Sequence, residues 1–419
     1  MNQSVPKLWN RNFTILTLGS VVSMMGNTIA GFAISLLVLE YTESTMLYTL
    51  YIVCYNLPKL VMPVLAGPYL DAFSRRKAIY VLDYISSGIY LGVFLLLSAG
   101  LFSYVPFLFI CILIGAIDSV YLVAYDSLYP TLVDPSHFRK AYSISSVLGT
   151  LSTMVAPVVV FFYDKIGSAA PLFACNAVLF FLAATMETQI KANETHLRPA
   201  ERTRFSLTQY KADFQDGLSY IRSQPGLMVI TMYFFLNSLS NGPENLVLPY
   251  FKSPAGLMAT GGLGVKAYVF VQGGAMLGRF IGGSMHYRFK LPAEKKFSIA
   301  LFVYIAITFI HCTYLLLPSV AMMCVFMFFL GLLGVTSYNI RISSTQSYVP
   351  NSHRARFNGT FQMLVNLGAI GGQLIAGALG EFIPIKPLFI AMGSLNLVGI
   401  FFTMVRKGKY VKPIYNMDV

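Results

Sequence analysis

Long apolar runs separated by short polar segments recur along nearly the whole chain of 419 residues. A helix needs about 20 consecutive apolar residues to cross the hydrocarbon core of a bilayer, and these runs have that length. The first run is too long for a signal-peptide core, so we expect it to remain as a span. The pattern predicts twelve membrane spans, at roughly 13–39, 46–70, 78–100, 104–130, 140–163, 169–189, 226–251, 263–285, 297–317, 319–347, 357–381 and 387–405.

The longest polar stretch divides these spans into two groups of six. Inside it, an apolar stripe at helical spacing predicts an amphipathic helix on the membrane surface rather than a merely solvated linker: Leu207, Tyr210, Phe214, Leu218 and Ile221. We predict a six-helix bundle over 1–190, a linker over 191–224 and a second bundle over 225–419. Val133-Asp-Pro-Ser136-His137 recurs as Val349-Pro-Asn-Ser352-His353, with Gly115 and Gly331 at the same offset, which indicates duplicated halves.

Composition and charge agree with a lipid environment. Hydrophobic residues make up 56% of the chain and charged residues 11%, against about 25% charged in a soluble domain. The net charge of +13 falls mostly in loops on one side, and the other side carries Lys165, Lys252, Lys266 and Lys386. The positive-inside rule then makes both termini cytoplasmic, and anionic lipid explains the basic excess without a nucleic-acid partner.

Enzyme and metal chemistry find no support in the residue pattern. The five cysteines lie inside apolar runs without CxxC spacing, and the five histidines are scattered. No phosphate-cradling loop or nucleophile elbow occurs. We therefore expect no cofactor, no metal site and no enzymatic activity.

The loop after the second predicted span reads Gly67-Pro-Tyr-Leu-Asp71-Ala-Phe-Ser-Arg75-Arg76-Lys77. Gly67 permits close helix contact, the Asp71 carboxylate can cap a helix N-terminus, and Arg75 offers a bidentate partner for a carboxylate. A stop-transfer basic cluster would explain the basic residues but not Gly67 and Asp71.

This loop resembles the signature G-x-x-x-D-x-x-x-R-[RK] of the major facilitator superfamily. Within it, the chain resembles the bacterial drug-and-siderophore exporter group over nearly its whole length, through Arg11-Asn-Phe-Thr-Ile-Leu-Thr-Leu-Gly19, Tyr129-Pro130-Thr-Leu-Val133, Asp213-Phe-Gln-Asp-Gly217-Leu-Ser-Tyr-Ile-Arg222 and Val349 to Arg356. The resemblance implies an all-α membrane protein of twelve helices in two pseudo-symmetric bundles, placed in the bacterial inner membrane. It also implies that Asp71 and Arg75 help latch the cytoplasmic gate, with Asp71 facing the start of the eleventh helix, and that Arg76 and Arg356 belong to the gate motifs.

The chain departs from this group at two positions. Many relatives carry an acid where this chain has Asn27, and the second-half position that matches Asp71 is Tyr287. Proton coupling through the first span is therefore not expected.

Ionisable residues inside spans cost roughly 3 kcal/mol each, so they are functional candidates. Asp118 lies one turn from Tyr121, and Glu244 lies beside Pro243, where the helix is expected to break. Both are candidates for proton coupling or cation recognition, and a structural pair with Lys59 or a helix cap is the alternative. Lys59 is either a counter-ion or an anion contact.

Other polar residues in the spans have proposed structural or cavity roles. Asp126 and Arg341 sit at nearly symmetric positions in the two halves and are predicted to form a salt bridge, while Asp83 is expected to complete the Arg75 network. Cavity lining is proposed for the following residues, with helix-packing hydrogen bonds as the alternative: Ser23, Asn27, Asn237, Asn241, Tyr338 and Asn339.

Together these features predict a monomeric secondary transporter that works by alternating access. The resemblance to the exporter group implies export of a small amphipathic compound, and we expect this export to be in exchange for protons. Metabolite uptake, lysolipid flipping and a membrane sensor without flux remain alternatives.

Overall fold

The computed structural model describes residues 8–42, 44–62, 74–133, 144, 155–191, 207–289 and 291–417. Within these ranges all regular secondary structure is helical. Eight of the described helices are long and apolar enough to cross a membrane. The expected all-α fold is thus confirmed, whereas Gly67, Asp71 and most of the fifth predicted span lie outside the described residues.

The chain forms two compact units. Unit 1 comprises Met1–Glu43 and Cys54–Phe205, and unit 2 comprises Ser44–Val53 and Ser206–Val419. Most of helix α2, which spans Thr45–Asn56, therefore packs with unit 2, although it precedes the linker in sequence. The remaining described helices of unit 1 are α1 (Arg11–Tyr41), α3 (Arg75–Ser98), α4 (Tyr104–Leu128), α5 (Ala156–Ile166) and α6 (Ala170–Glu187).

Helix α6 is central to the packing of unit 1, where it contacts α1 and α3. Small residues on α1 allow this approach, because a Cβ at Gly19 would lie 2.9 Å from the Glu187 side chain. Side-chain caps begin both partner helices, since Asn10 accepts from the Phe13 amide and Ser74 from the Lys77 amide. Polar groups of α1, α3 and α6 are consequently brought together inside an apolar bundle.

Unit 2 contains the described helices of the second half of the chain. They are α7 (Leu207–Ser223), α8 (Pro225–Ser240), α9 (Val247–Lys252), α10 (Pro254–Ala259), α11 (Val265–Arg288), α12 (Lys296–Thr313), α13 (Val320–Tyr348), α14 (Asn351–Leu379), α15 (Ile385–Ile400) and α16 (Gly408–Tyr415). Among these, α11 packs on α13 and α8 packs on α14.

The seventh predicted span is broken as expected. Helix α8 ends at Ser240, a 3-10 segment covers Gly242–Leu246, and α9 resumes at Val247. Pro243 lacks an amide proton for helical hydrogen bonding. A Cβ at Gly242 would overlap the Gly372 carbonyl, so the broken segment lies directly on α14. The break holds Glu244 at a non-α-helical position.

Two short helices flank the second bundle. Helix α7 lies within the predicted linker, with Ile221 buried and Phe214 and Leu218 half-buried, and its place on the membrane surface stays a prediction. The sequence did not reveal α16, whose Ile414 and Tyr415 are buried in the same core cluster as Ile221. Its run of GKYVKPIY reads as a basic tail, and only the packing shows that its apolar side is covered.

Candidate functional site

In unit 2, Glu244 contacts His311. The Glu244 Oε2 atom lies 2.7 Å from His311 Nε2, and its Oε1 atom accepts a hydrogen bond of 3.0 Å from Gln272 Nε2. The two side chains are 35% and 13% exposed, so the pair stays partly accessible. His311 packs against the Phe389 ring at 5.0 Å between centroids. An acid and a base are thus held in contact, and His311 lies on a helix long and apolar enough to cross a membrane.

A second hydrogen-bonded group shares helix α12 with this pair. Asn396 Nδ2 donates to Asn237 Oδ1 at 3.1 Å and to Thr308 Oγ1 at 2.9 Å. Thr308 precedes His311 by one turn of α12, so polar groups continue along that helix from the Glu244–His311 pair. Asn237 thus makes a hydrogen bond between helices, and its cavity-lining role stays a prediction.

In unit 1, two fully buried carboxyl groups occur with neutral donors. Ser23 Oγ donates to Asp83 Oδ2 at 2.6 Å, and the Tyr121 hydroxyl donates to Glu187 Oε1 at 3.3 Å. Glu187 and Asp83 are electrostatic neighbours. Among the described residues, no basic side chain forms an ion pair with either carboxyl.

Asp83 accepts its hydrogen bond from Ser23, and its place in the Arg75 network stays a prediction. Asp83 follows Arg75 by two turns of α3, about 12 Å along the helix. That depth brings Asp83 to Ser23 of α1. Ser23 is correspondingly a buried partner of Asp83 and not an exposed cavity residue.

Sequence reasoning missed Glu187 and His311. Glu187 looked like the polar end of a span, and His311 was one of several scattered histidines. The useful signal for Glu187 was Gly19, which leaves the space that the Glu187 side chain fills. For His311 the only signal was its position within an apolar run.

Asp118, Tyr55 and Lys59 form another group in unit 1. The Tyr55 hydroxyl donates to Asp118 Oδ2 at 2.5 Å, and Lys59 Nζ lies 3.7 Å from the centroid of the Tyr55 ring. A Cβ at Gly115 would overlap the Tyr55 carbonyl, so Gly115 allows α4 to approach α2. The two charged candidates of the sequence are thus joined through a tyrosine.

Arg341 in unit 2 is surrounded by aromatic rings. Its guanidinium carbon lies 4.9 Å from the Phe361 centroid, 5.2 Å from that of Tyr338 and 5.6 Å from that of Phe234. Such contacts stabilise a cation in an apolar setting. Asp126 belongs to unit 1 and is exposed, and its pairing with Arg341 stays a prediction.

The remaining predicted residues are only partly described. Arg75 begins α3, and Arg76 Nη1 donates to the Ile190 carbonyl at 2.5 Å. Arg356 lies on α14, with its side chain outside the described residues. Asn27 and Asn339 are half-buried and Asn241 is exposed, and their cavity-lining roles stay predictions.

Comparison with known families decides the identity. The family model of the Major Facilitator Superfamily matches residues 16–313 and 295–414. The chain belongs to this superfamily. It is therefore a multi-pass membrane protein of a transporter family and not of an enzyme family.

Individual relatives of this superfamily chain are distant. It is 26% identical over 255 residues to the uncharacterized MFS-type transporter YkuC of Bacillus subtilis (strain 168), which covers 59% of this chain. The chain spans 58% of the length of that curated relative. A mutant of the nucleoside transporter NupG superposes with a TM-score of 0.72 at 12% identity, over 94% of this chain and 99% of that one.

A bacterial homologue of the iron transporter ferroportin, in an outward-facing state, also shares the fold. Its TM-score is 0.61 at 18% identity, over 96% of this chain and 99% of that chain. At these sequence identities, the similarity to the two structures concerns the major facilitator fold alone.

Proposed function

We propose that this superfamily member is a proton-coupled exporter of a small amphipathic compound. It would work by alternating access in the bacterial plasma membrane, as a monomer with both termini in the cytoplasm. The Glu244–His311 pair carries the coupling part of the proposal. The direction of transport draws on the resemblance to the exporter group.

The pair has three properties that proton exchange requires. It contains an acid and a base in direct contact, it lies in a membrane-spanning region, and it is partly accessible. The neutral donor Gln272 holds the second carboxylate oxygen of Glu244, which fixes its orientation toward His311. Ionisable groups at membrane depth are expensive and mark ion pathways.

Proton flux in proteoliposomes tests the proposal. The full chain is reconstituted with a pH-sensitive dye inside, and the compounds are those to which its expression confers resistance. We expect each transported compound to dissipate an imposed pH gradient, and Glu244→Gln and His311→Asn to abolish that dissipation. Glu294→Gln, near the start of α12 and away from the pair, is the matched control and should behave like the parent chain.

The other outcomes assign different functions. Protons moving in the same direction as the compound would indicate uptake and overturn export. A panel without any compound-dependent proton movement would overturn coupling and favour a sensor. Undiminished proton movement in both variants would remove the pair from the coupling pathway.

A further inference from the structure

The cation of Lys59 lies near Asp118, at the middle of α4 in unit 1. Asp118, its electrostatic neighbour, follows the start of α4 by fourteen residues, about 21 Å along the helix. Lys59 follows the break after α2 at Leu57 and is half-buried. At such depth a bilayer offers no headgroup or bulk water, so a lysine needs protein or ligand partners.

The contacts of Lys59 satisfy only part of its bonding capacity. Its ammonium lies over the Tyr55 ring and forms no hydrogen bond or ion pair with the described residues. An ammonium group has three N–H donors. A cation over a ring face is held by electrostatic attraction to the ring and makes no ordinary hydrogen bond with it. Donors without acceptors therefore remain at a partly accessible position.

The nearby carboxylate is held by a different donor. Tyr55 donates its hydroxyl to Asp118 at 2.5 Å, whereas Lys59 lies over the face of the same ring. Asp118 thus balances the charge of Lys59 across Tyr55 without filling its donors. The negative charge of Asp118 and the Tyr55 ring stabilise the cation. The N–H donors of Lys59 remain available to a ligand.

We propose that Lys59 is an anion-binding subsite that takes the carboxylate or phosphate-type group of the transported compound. Tyr55 supports the cation, and Asp118 acts as the internal charge that a bound anion partly displaces. The solute is then an amphipathic organic acid, whose apolar part lies elsewhere in the cavity. This inference rests on the proposed transport function and names the class of its solute.

Equilibrium binding to the full chain tests this without requiring flux. The purified protein in nanodiscs of phosphatidylcholine is titrated with radiolabelled naphthoate, and with naphthamide as the neutral match. We expect naphthoate to bind more tightly than naphthamide. Lys59→Gln should weaken naphthoate binding by roughly 10- to 100-fold, as expected for loss of a charged hydrogen bond, and leave naphthamide unchanged.

Two further variants separate a subsite from a structural ion pair. Lys59→Arg should retain most of the affinity, and Asp118→Asn should tighten naphthoate binding because a competing negative charge is removed. If Lys59 only neutralises Asp118, Asp118→Asn would weaken or not affect naphthoate binding, and the proposal would be overturned. Lys165→Gln is the matched control, because Lys165 lies 4.6 Å over the Phe161 ring at an exposed position.

An anionic lipid headgroup shares the chemistry of such a ligand. Nanodiscs that contain phosphatidylglycerol distinguish the two sources. Undiminished naphthoate binding in them supports a transported acid, and its loss assigns Lys59 to lipid and overturns the inference. Equal binding of naphthoate and naphthamide also overturns it, but leaves proton-coupled transport of a neutral compound intact, so the two proposals fail separately.

Discussion

Both units use a glycine at a close contact between helices, but they differ in their polar and ionisable groups. In unit 1 a Cβ at Gly115 would overlap the Tyr55 carbonyl, and in unit 2 a Cβ at the matching Gly331 would overlap the Ala275 carbonyl. Each of the two duplicated glycines thus allows a close helix contact. The polar groups around them do not match, so packing was retained while the chemistry of each half diverged.

The difference lies in how each unit compensates its acids. Unit 2 places Glu244 against a base, His311, at a partly accessible site. Unit 1 buries Asp83 and Glu187 completely and offers them only hydroxyl donors among the described residues. Like charges in a low-dielectric site repel, whereas an acid and a base attract. Neutralising an acid should therefore lower the stability of the fold in unit 2 and leave it equal or raise it in unit 1.

The largest expected effect tests the shared packing. Gly115→Ala and Gly331→Ala each force a methyl group into a backbone carbonyl, and each should destabilise the folded chain by about 3 kcal/mol. Thermal unfolding of the detergent-solubilised protein measures the loss. Gly334→Ala is the control, since nothing lies within 4 Å of a Cβ there. Tolerance at one glycine only would show that the two contacts are not equivalent.

Neutralising one acid in each unit tests the chemical contrast. Glu244→Gln leaves His311 without its anion and should cost about 2 kcal/mol, less than a fully buried pair because Glu244 is 35% exposed. Glu187→Gln keeps the size and removes a like charge, so thermal stability should stay equal or rise. A comparable loss in both variants would mean that Glu187 has a cationic partner and that the units are alike.

Local signals account for what the sequence predicted well. Pro243 marks the break because it cannot donate a helical hydrogen bond, and the apolar stripe ending at Ile221 marks α7 because its period is that of a helix. Both signals act within a few residues. Such local signals predict where helices begin, end or break. They do not predict which helices contact each other.

The pairings of the candidate sites depend on tertiary packing. His311 meets Glu244 across 67 residues, and α2 joins unit 2 although most of the first half forms unit 1. Asp83 was assigned to the nearby Arg75 because proximity in sequence was the available guide. The hydrogen bond that Asp83 accepts from Ser23 depends instead on how α1 and α3 pack.

A charge exchange examines the predicted link between Asp126 and Arg341. Asp126→Arg and Arg341→Asp should each reduce transport about tenfold, and the double variant should recover part of that loss. Flux of a resistance-conferring compound in proteoliposomes is the readout. Arg341→Lys separates charge from shape, because lysine keeps the charge but stacks less well on Phe361 and Tyr338. No recovery in the double variant would leave the aromatic contacts as the role of Arg341.

The smallest effect concerns the start of α2, the part of the first half that packs in unit 2. Exposed Glu381 Oε1 accepts from the Met46 amide at 2.8 Å and from the Ser44 hydroxyl at 2.5 Å. These donors, the Met46 amide foremost, hold the pKa of Glu381 below its ordinary value of 4.5. The carboxylate therefore stabilises the fold fully above pH 4.5, and this stabilisation is lost as pH falls through the lowered pKa.

Because Glu381 is exposed, solvent screening limits this contribution to about 0.5 kcal/mol. Glu381→Gln keeps an acceptor oxygen but loses the charge, so the parent chain should be slightly more stable near neutral pH. That difference should shrink on acidification, which thermal unfolding at a series of pH values measures. A difference that grows toward acid would have the wrong sign for a carboxylate with a lowered pKa. A constant difference would mean that shape and not charge at Glu381 ties α2 to unit 2.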